Sequence, residues 1–187
     1  MSGEIKARPL LEFSLRRSST IFSVKTNFQA WYNHRMITAY KYKLRPNKAQ
    51  ANQFDEWLNL LRMQYNYRLG ERFNWYESTR CPVDSCSLLS CSIAPGLEPP
   101  DYYWQKRDLL NTKKLFPEYK EIHSQVLQNC VERVKKAFDR YIKADKTGQR
   151  SGKPRFKRKG RYHSFTYTQM KQDCIQGNRI TLPKIGD

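Results

Sequence analysis

The residues whose types and spacing most clearly indicate a chemistry are nine lysines and arginines from position 146 to position 171, with no acidic residue among them. Lysine and arginine neutralise phosphates and release counterions, which gives sequence-independent affinity for nucleic acid. Aromatic side chains lie among them and are able to stack on unpaired bases, although Phe156 and Phe165 fit a core position better. The stretch therefore predicts a nucleic-acid surface. Its basic members are Lys146, Arg150, Lys153, Arg155, Lys157, Arg158, Lys159, Arg161 and Lys171.

The residue types that carry most enzyme chemistry show no usable pattern. The three histidines stand far apart and the carboxylates are scattered, whereas a two-metal nuclease needs several acidic groups around Mg²⁺. Cys81, Cys86 and Cys91 repeat every five residues, which is wide for zinc ligands, and no fourth ligand lies nearby. No glycine-rich phosphate loop is present. We expect no catalytic residue, metal or cofactor in this chain.

The charge of the whole chain indicates the same class of partner. It has 187 residues, with 35 Lys and Arg against 17 Asp and Glu and a formal net charge of +18, which attracts polyanions. Its 39% hydrophobic and 13% aromatic residues favour a folded domain over a disordered basic tail. No apolar run is long enough to span a bilayer, and five cysteines without a secretory signal favour a reduced, cytoplasmic protein. We expect nucleic acid as the partner and no membrane.

Hydrophobic periodicity predicts the first elements that must position these residues. Residues 1–35 show no clear period, whereas residues 37–44 alternate as in a strand. Asn47, with Gln50 three residues later, matches a capping box and predicts the start of a helix that ends near Glu77. The apolar stripe of this helix predicts core packing; it comprises Phe54, Trp57, Leu58, Leu61, Tyr65, Leu69 and Phe73.

The second half of the chain predicts helices and then short strands. Residues 78–100 are rich in Ser, Cys and Pro and predict a loop. A short helix over 101–114 and a longer one from Pro117 or Glu118 to about Lys143 follow, and residues 162–167 resemble a strand. Gly177 and Asn178 between two short apolar runs predict a hairpin. A first strand separated from later strands by helices is an α+β arrangement.

From Met36 onward, four ordered stretches resemble the TnpB (OrfB) family of transposon-encoded proteins. They are AYKYKLRPNKAQ (39–50), LRMQYNYRL (61–69), HSQVLQNCVERVKKAFDRY (123–141) and GKPRFKRKGRYHSFTY (152–167), and NRITLPKIGD (178–187) also fits. The resemblance implies a partial wedge β-barrel with an inserted helical recognition lobe. It implies a first wedge strand over 36–46, a helical lobe with a helix-turn-helix over 47–145, and a basic loop with wedge strands over 146–187.

The resemblance also implies partners and contacts. Proteins of this family bind a guide RNA and cut DNA beside a short adjacent motif. Residues placed near that DNA are Tyr103, Gln125, Gln128 and Thr166. Residues placed along nucleic-acid backbones are Lys41, Lys43, Arg45, Arg155, Lys157, Arg158, Lys159 and Arg161. Glutamine pairs well with adenine in a major groove, but polar residues such as Gln128 on a helix also serve solubility alone.

Two departures from the family pattern qualify what the resemblance implies. The family's RuvC carboxylates and zinc-ribbon cysteines have no counterpart here, and residues 1–35 precede the position where family proteins begin. We therefore expect a DNA- and RNA-binding N-terminal portion of a TnpB-like transposase that does not cleave. Two alternatives are half of a split RNA-guided nuclease, completed by a separate RuvC-containing portion, and a transposase remnant without function.

Overall fold

The computed structural model describes residues 10–16, 19–28, 36–79, 100–144, 147–169, 174–176 and 179–185, with side chains from residue 43 onward. The helices are α1 (Lys48–Ser78), α2 (Tyr102–Arg107), α3 (Leu109–Leu115) and α4 (Ser124–Ile142), with a 3₁₀ turn at Pro117–Lys120. The strands are β1 (Leu10–Arg16), β2 (Ser19–Phe28), β3 (Met36–Lys43), β4 (Ser164–Tyr167), β5 (Ile175–Gln176) and β6 (Arg179–Ile180). The described part of the chain is an α+β fold, as the sequence predicts.

The larger sheet is antiparallel, with the strand order β3-β2-β1-β4. β1 and β2 lie in the segment for which periodicity predicted no element, and they separate β3 from β4. The register pairs Phe13 with Phe22 on one side and with Phe165 on the other. The N-terminal segment is therefore the middle of the sheet, and β3 and β4 do not pair with each other.

The helix α1 begins where the sequence predicts and for the predicted reason. The Asn47 side chain accepts a hydrogen bond from the Gln50 backbone N–H at 2.8 Å, and the Gln50 side chain accepts one from the Asn47 N–H at 3.0 Å. This reciprocal capping box satisfies two of the amides that a helix start leaves unpaired. Each predicted stripe residue is buried, from Phe54 to Phe73.

The helical region after residue 100 is more broken than the periodicity suggests. The predicted short helix divides at Asp108 into α2 and α3. The predicted long helix starts only at Ser124, because Pro117 begins a 3₁₀ turn before it. Tyr119 in this turn is buried, and its hydroxyl donates to the Leu60 carbonyl at 3.1 Å. The chain then turns before α4 begins.

His123 caps α4. Its backbone is extended, and its Nδ1 accepts a hydrogen bond from the Gln125 N–H at 3.3 Å. Burial, helped by the positive charges of Lys113 and Lys184, lowers the pKa of His123. The lowered pKa keeps the ring neutral, so that Nδ1 remains able to accept.

The core lies between α1, α4 and β4. Phe165 of β4 packs against Phe54 and Trp57 of α1, with ring centroids 5.9 Å apart in both pairs. Cys130 of α4 lies against the Leu61 carbonyl at 3.4 Å, and burial raises the pKa of its thiol to about 11. The predicted two-residue hairpin is present as β5 and β6, in which Ile175 pairs with Ile180; its turn residues lie outside the described ranges.

Candidate nucleic-acid interface

Residues 150–161, here called the basic strap, form an extended segment that is anchored to α1. Asn66 makes two anchoring hydrogen bonds: its Oδ1 accepts from the Lys157 N–H at 2.7 Å, and its Nδ2 donates to the Lys157 carbonyl at 2.9 Å, to which Arg62 also donates at 3.5 Å. The Ser151 N–H donates to the Arg140 carbonyl of α4 at 3.1 Å. The strap is neither helix nor strand, yet side chains of the core hold its backbone in place.

Two cations of the strap lie over aromatic rings of α1. The Lys153 ammonium lies 4.6 Å from the Phe73 ring centroid and 3.0 Å from a Glu77 carboxylate oxygen. The Lys157 ammonium lies 5.7 Å from the centroid of the Tyr65 ring. The strap thus runs antiparallel to α1, since its earlier residue meets the later turn of the helix. These two lysines serve mainly to fix the strap, because the ring faces attract their charges.

The remaining strap cations face the solvent. Within the described part of the chain they form no ion pair, so their charge is available to a polyanion; they are Arg150, Arg155, Arg158, Lys159 and Arg161. Gly160 adopts a φ of +71°, a conformation that side chains disfavour, next to a turn in which the Arg161 N–H donates to the Arg158 carbonyl at 3.0 Å. The turn keeps three cations close together.

Phe156 departs from the sequence-based interpretation, whereas Phe165 follows it. Phe165 is buried at 2% exposure, but Phe156 is 55% exposed, and its ring centroid lies 5.9 Å from that of Phe73 in the core. Its position follows from the extended strap, which has only one face against α1. An exposed ring among free cations is suited to base stacking.

Thr166 and Gln125 lie where α4 meets β4. Thr166 is only 6% exposed, and its hydroxyl accepts a hydrogen bond from the Arg133 guanidinium at 2.7 Å. Arg133 also donates to the Ser164 carbonyl at 2.6 Å, so this cation joins α4 to β4 and is not free for phosphate. The Gln125 side chain accepts from the Gln169 N–H at 3.2 Å. Both predicted DNA contacts are thus already hydrogen-bonded within the protein.

Tyr103 and Gln128 occupy neighbouring helices. Tyr103 lies on α2 with 66% of its surface exposed, and Gln128 is half-buried on α4. The two helices pack against each other. Burial there, with the nearby charge of Glu132 on α4, raises the pKa of Tyr102. Their predicted role near DNA is untested by these contacts.

A buried polar network holds α2 and α3 on α1. Arg68 is fully buried and donates to Glu71 at 2.9 Å, to Asp108 at 2.7 Å and to Thr112 at 3.0 Å. The buried Gln105 donates to the Arg68 carbonyl at 3.1 Å. Paired and hydrogen-bonded in this way, a buried charge is tolerated. The network sets the position of α2 and hence of Tyr103.

The cations at the end of β3 that were predicted to contact a nucleic-acid backbone lie at a second basic site. Lys43 and Arg45 line a cavity of about 720 Å³ beside the start of α1, together with Arg179 of β6. The side chain of Lys41 lies outside those described. The strap is anchored on the later turns of α1, so the predicted cations fall into two separate groups.

Sequence inspection missed Asn66, Arg133 and Arg179. Asn66 holds the strap by hydrogen bonds to Lys157, which is 91 residues away in the chain. Arg133 resembles any exposed cation of an amphipathic helix, and Arg179 stands alone on a short strand. The one signal in the sequence that could have identified Asn66 is the position of a polar amide side chain beside the apolar stripe of α1.

Two other features concern metals and membranes. In the ranges that the structure describes, no group of three or more His, Cys, Asp or Glu is placed to hold a metal ion. Cys81, Cys86 and Cys91 lie outside those ranges. Among the described helices, none combines the length and apolar character that a membrane span requires.

A family model described as a helix-turn-helix domain, that of OrfB proteins of the IS605 type, matches residues 36–81. No curated protein and no solved structure matches the chain significantly. Over residues 36–79 the matched segment consists of β3 and the single continuous helix α1. The match indicates DNA binding in a transposase-related protein. It confirms the resemblance seen in the sequence over residues 36–81, which are similar to the N-terminal region of TnpB (OrfB) family proteins of the IS605 type.

Proposed function

We propose that this chain binds transposon-adjacent DNA and a guide RNA through the basic strap and does not cleave DNA by itself. In this proposal β3 and β4 correspond to wedge strands, and the helices from α1 to α4 correspond to the recognition lobe. The family match supports the DNA partner. The RNA partner and the lack of cleavage rest on the family resemblance and on the scattered carboxylates.

The observation that carries the proposal is a free cationic surface on an anchored backbone. Asn66 fixes the strap at Lys157, while Arg155, Arg158 and Lys159 remain exposed and without an ion pair in the described chain. A segment that is ordered before binding loses less conformational entropy when the ligand arrives. The strap is therefore suited to hold a phosphate backbone rather than to serve as a charged linker.

Phosphate contacts position a nucleic acid, and base contacts specify it. We assign the first task to the strap. We assign the second task to Tyr103 and Gln128. In the described chain neither takes part in the side-chain hydrogen bonds between α4 and the β4 region, whereas Gln125 and Thr166 do. For Thr166 to touch DNA, its contact with Arg133 would have to open or be shared.

The proposal is tested by neutralising four of the exposed strap cations together, as Arg155→Gln, Arg158→Gln, Lys159→Gln and Arg161→Gln. Affinity for the transposon-end RNA and for duplex DNA is measured over a range of salt concentrations. Each lost phosphate contact should flatten the slope of log K against log salt by about 0.9 for duplex DNA. A matched control removes four exposed cations elsewhere, as Lys48→Gln, Arg107→Gln, Lys114→Gln and Lys120→Gln.

Equal losses in the two quadruple variants would reject the strap as the binding surface. A preference of the unmodified chain for transposon-end RNA over a scrambled RNA supports guide binding, and equal affinity for both contradicts it. Cutting of duplex DNA by the purified chain with Mg²⁺ would contradict the non-cleaving part of the proposal.

A further inference from the structure

The cavity beside the start of α1 is a second charged site, separate from the basic strap. It has a volume of about 720 Å³ and lies between the end of β3, the first turns of α1 and β6. Small-molecule pockets commonly occupy about 300–1,000 Å³. A single nucleotide therefore fits the space, whereas a duplex does not enter it.

Among the described residues that line the cavity, every charged side chain is positive. Lys43 and Arg45 at the end of β3 and Arg179 of β6 come from two distant parts of the chain and line the same space. None of the described lining residues is acidic, and within the described chain none of these three cations forms an ion pair. Three converging cations without a counter-charge repel one another, so an anion that enters between them is stabilised.

The walls between the cations supply two other kinds of surface. Leu44, Pro46 and Ile180 are half-buried and offer apolar surface to a planar group. Asn47 and Gln50 also line the cavity, but their side chains are committed to the capping box of α1. Among the described lining residues, the uncommitted side-chain donors are therefore guanidinium and ammonium groups, which favour phosphate.

We propose that this cavity binds one unpaired nucleotide, with its phosphate on Lys43, Arg45 and Arg179 and its base against the apolar wall. The inference rests on the proposed nucleic-acid function and gives it a second, separate contact. The nucleotide belongs either to a single strand that continues onto the protein surface or to a free mononucleotide. Both present the same chemistry, and the experiment below distinguishes them.

The test uses the full chain, with a blunt duplex, the same duplex carrying a three-nucleotide single-stranded overhang, and AMP as probes. The double variant Arg45→Gln/Arg179→Gln should weaken binding of the overhang duplex about tenfold, because it removes charge-assisted hydrogen bonds to phosphate. Binding of the blunt duplex should fall only as much as in the charge-matched control Lys114→Gln/Lys120→Gln. If the two double variants affect the overhang duplex equally, the cavity proposal is wrong.

A second variant separates the cavity from general charge. Ile180→Trp places a large ring at the wall without changing the net charge, and it should also weaken binding of the overhang while leaving the blunt duplex unchanged. Thermal unfolding of each variant confirms that it is folded. If Ile180→Trp is folded and binds the overhang normally, no base occupies the cavity and the proposal fails.

The AMP arm identifies the source of the nucleotide. Saturable AMP binding that the Arg45→Gln/Arg179→Gln variant abolishes supports a pocket for free nucleotides. Overhang binding that is sensitive to this variant, with no saturable AMP binding, supports a strand-borne nucleotide. If the unmodified chain binds no nucleic acid, the proposed function fails first; if it binds blunt and overhang duplexes equally and does not bind AMP, only the cavity proposal fails.

Discussion

At the scale of single residues, polar side chains rather than apolar ones decide how the basic surfaces are arranged. Arg133 joins α4 to β4, Arg68 joins α1 to α3, and His123 starts α4. Each of these three is a cation or a group able to become one in a chain with a net charge of +18. A basic side chain in this protein therefore cannot be assigned to phosphate by type alone, since several are committed to the fold.

The cap at His123 predicts a loss of stability in acid. Because the pKa of His123 in the folded protein lies below its ordinary value of 6.5, the neutral cap contributes fully above that value. The contribution is lost as the pH falls through the lowered pKa, because the protonated Nδ1 can no longer accept from Gln125. His123→Asn keeps a side chain that caps helices well at any pH.

The measurement for His123 is the free energy of unfolding in urea at several pH values from about 7 down to 4.5. As the pH falls, the original chain should lose stability relative to His123→Asn. The loss in its free energy of unfolding should reach up to about 1 kcal/mol, which is the usual contribution of an N-cap. His163 is exposed, and His163→Asn provides the control. A constant difference across this range would show that the cap does not titrate.

At the scale of elements, the strap gains its order from a helix rather than from its own secondary structure. Seven of its twelve residues are basic, and the segment has no regular backbone pairing of its own. Mutual repulsion of these charges opposes a compact local structure, so the anchoring contacts of α1 must supply the order. Asn66 is the residue best placed to test this dependence.

Asn66→Ala removes the two hydrogen bonds that Asn66 makes to the Lys157 backbone without changing the net charge, and leaves the longer bond from Arg62 to the Lys157 carbonyl at 3.5 Å. We expect the free energy of unfolding to fall by about 1–2 kcal/mol, since each such bond is worth roughly 0.5–1.5 kcal/mol. Affinity for duplex DNA should fall severalfold, because the strap must then be ordered upon binding. The control is Asn74→Ala, at an exposed position of the same helix.

Urea titration and a DNA-binding isotherm at fixed salt measure the two effects of Asn66→Ala. Reduced stability with unchanged affinity would mean that the strap binds DNA equally well when it is loose. That result would remove the argument from preorganisation and leave only the charge.

At the scale of the whole molecule, the N-terminal hairpin connects parts of the sheet that are distant in the chain. β1 pairs with β4, and β2 pairs with β3, so residues 10–28 bridge the strand before the helices and the strand after them. This arrangement makes the segment before Met36 a structural component of the described fold. Its removal leaves both β3 and β4 without a partner strand.

A chain that begins at Met36 should therefore unfold at a lower urea concentration than the full chain and should associate through its open strand edges. Urea titration monitored by circular dichroism and light scattering measures the two effects. A chain that begins at Leu10 is the control, since it keeps β1 and β2. The same unfolding midpoint for both shortened chains would show that the hairpin adds no stability.

The sequence by itself determined the elements whose signals are local. Four features were predicted, because each depends on residues a few positions apart in the chain. They are the capping box at Asn47, the buried stripe of α1, the short strand around Phe165 and the hairpin before Arg179. The basic run was equally visible, since charge is a property of composition. The family match over residues 36–81 agrees with what these stretches indicated.

Only the tertiary structure decided how distant segments meet. The pairing of β1 with β4 joins residues 150 to 156 positions apart in the chain, and the hydrogen bonds of Asn66 to Lys157 span 91 positions. Neither leaves a periodic trace, because a single amide or an irregular strand is compatible with many partners. The same holds for Arg179, which joins Lys43 and Arg45 only where the packed chain forms the cavity. Local patterns specify elements, whereas the burial of many surfaces at once selects which elements touch.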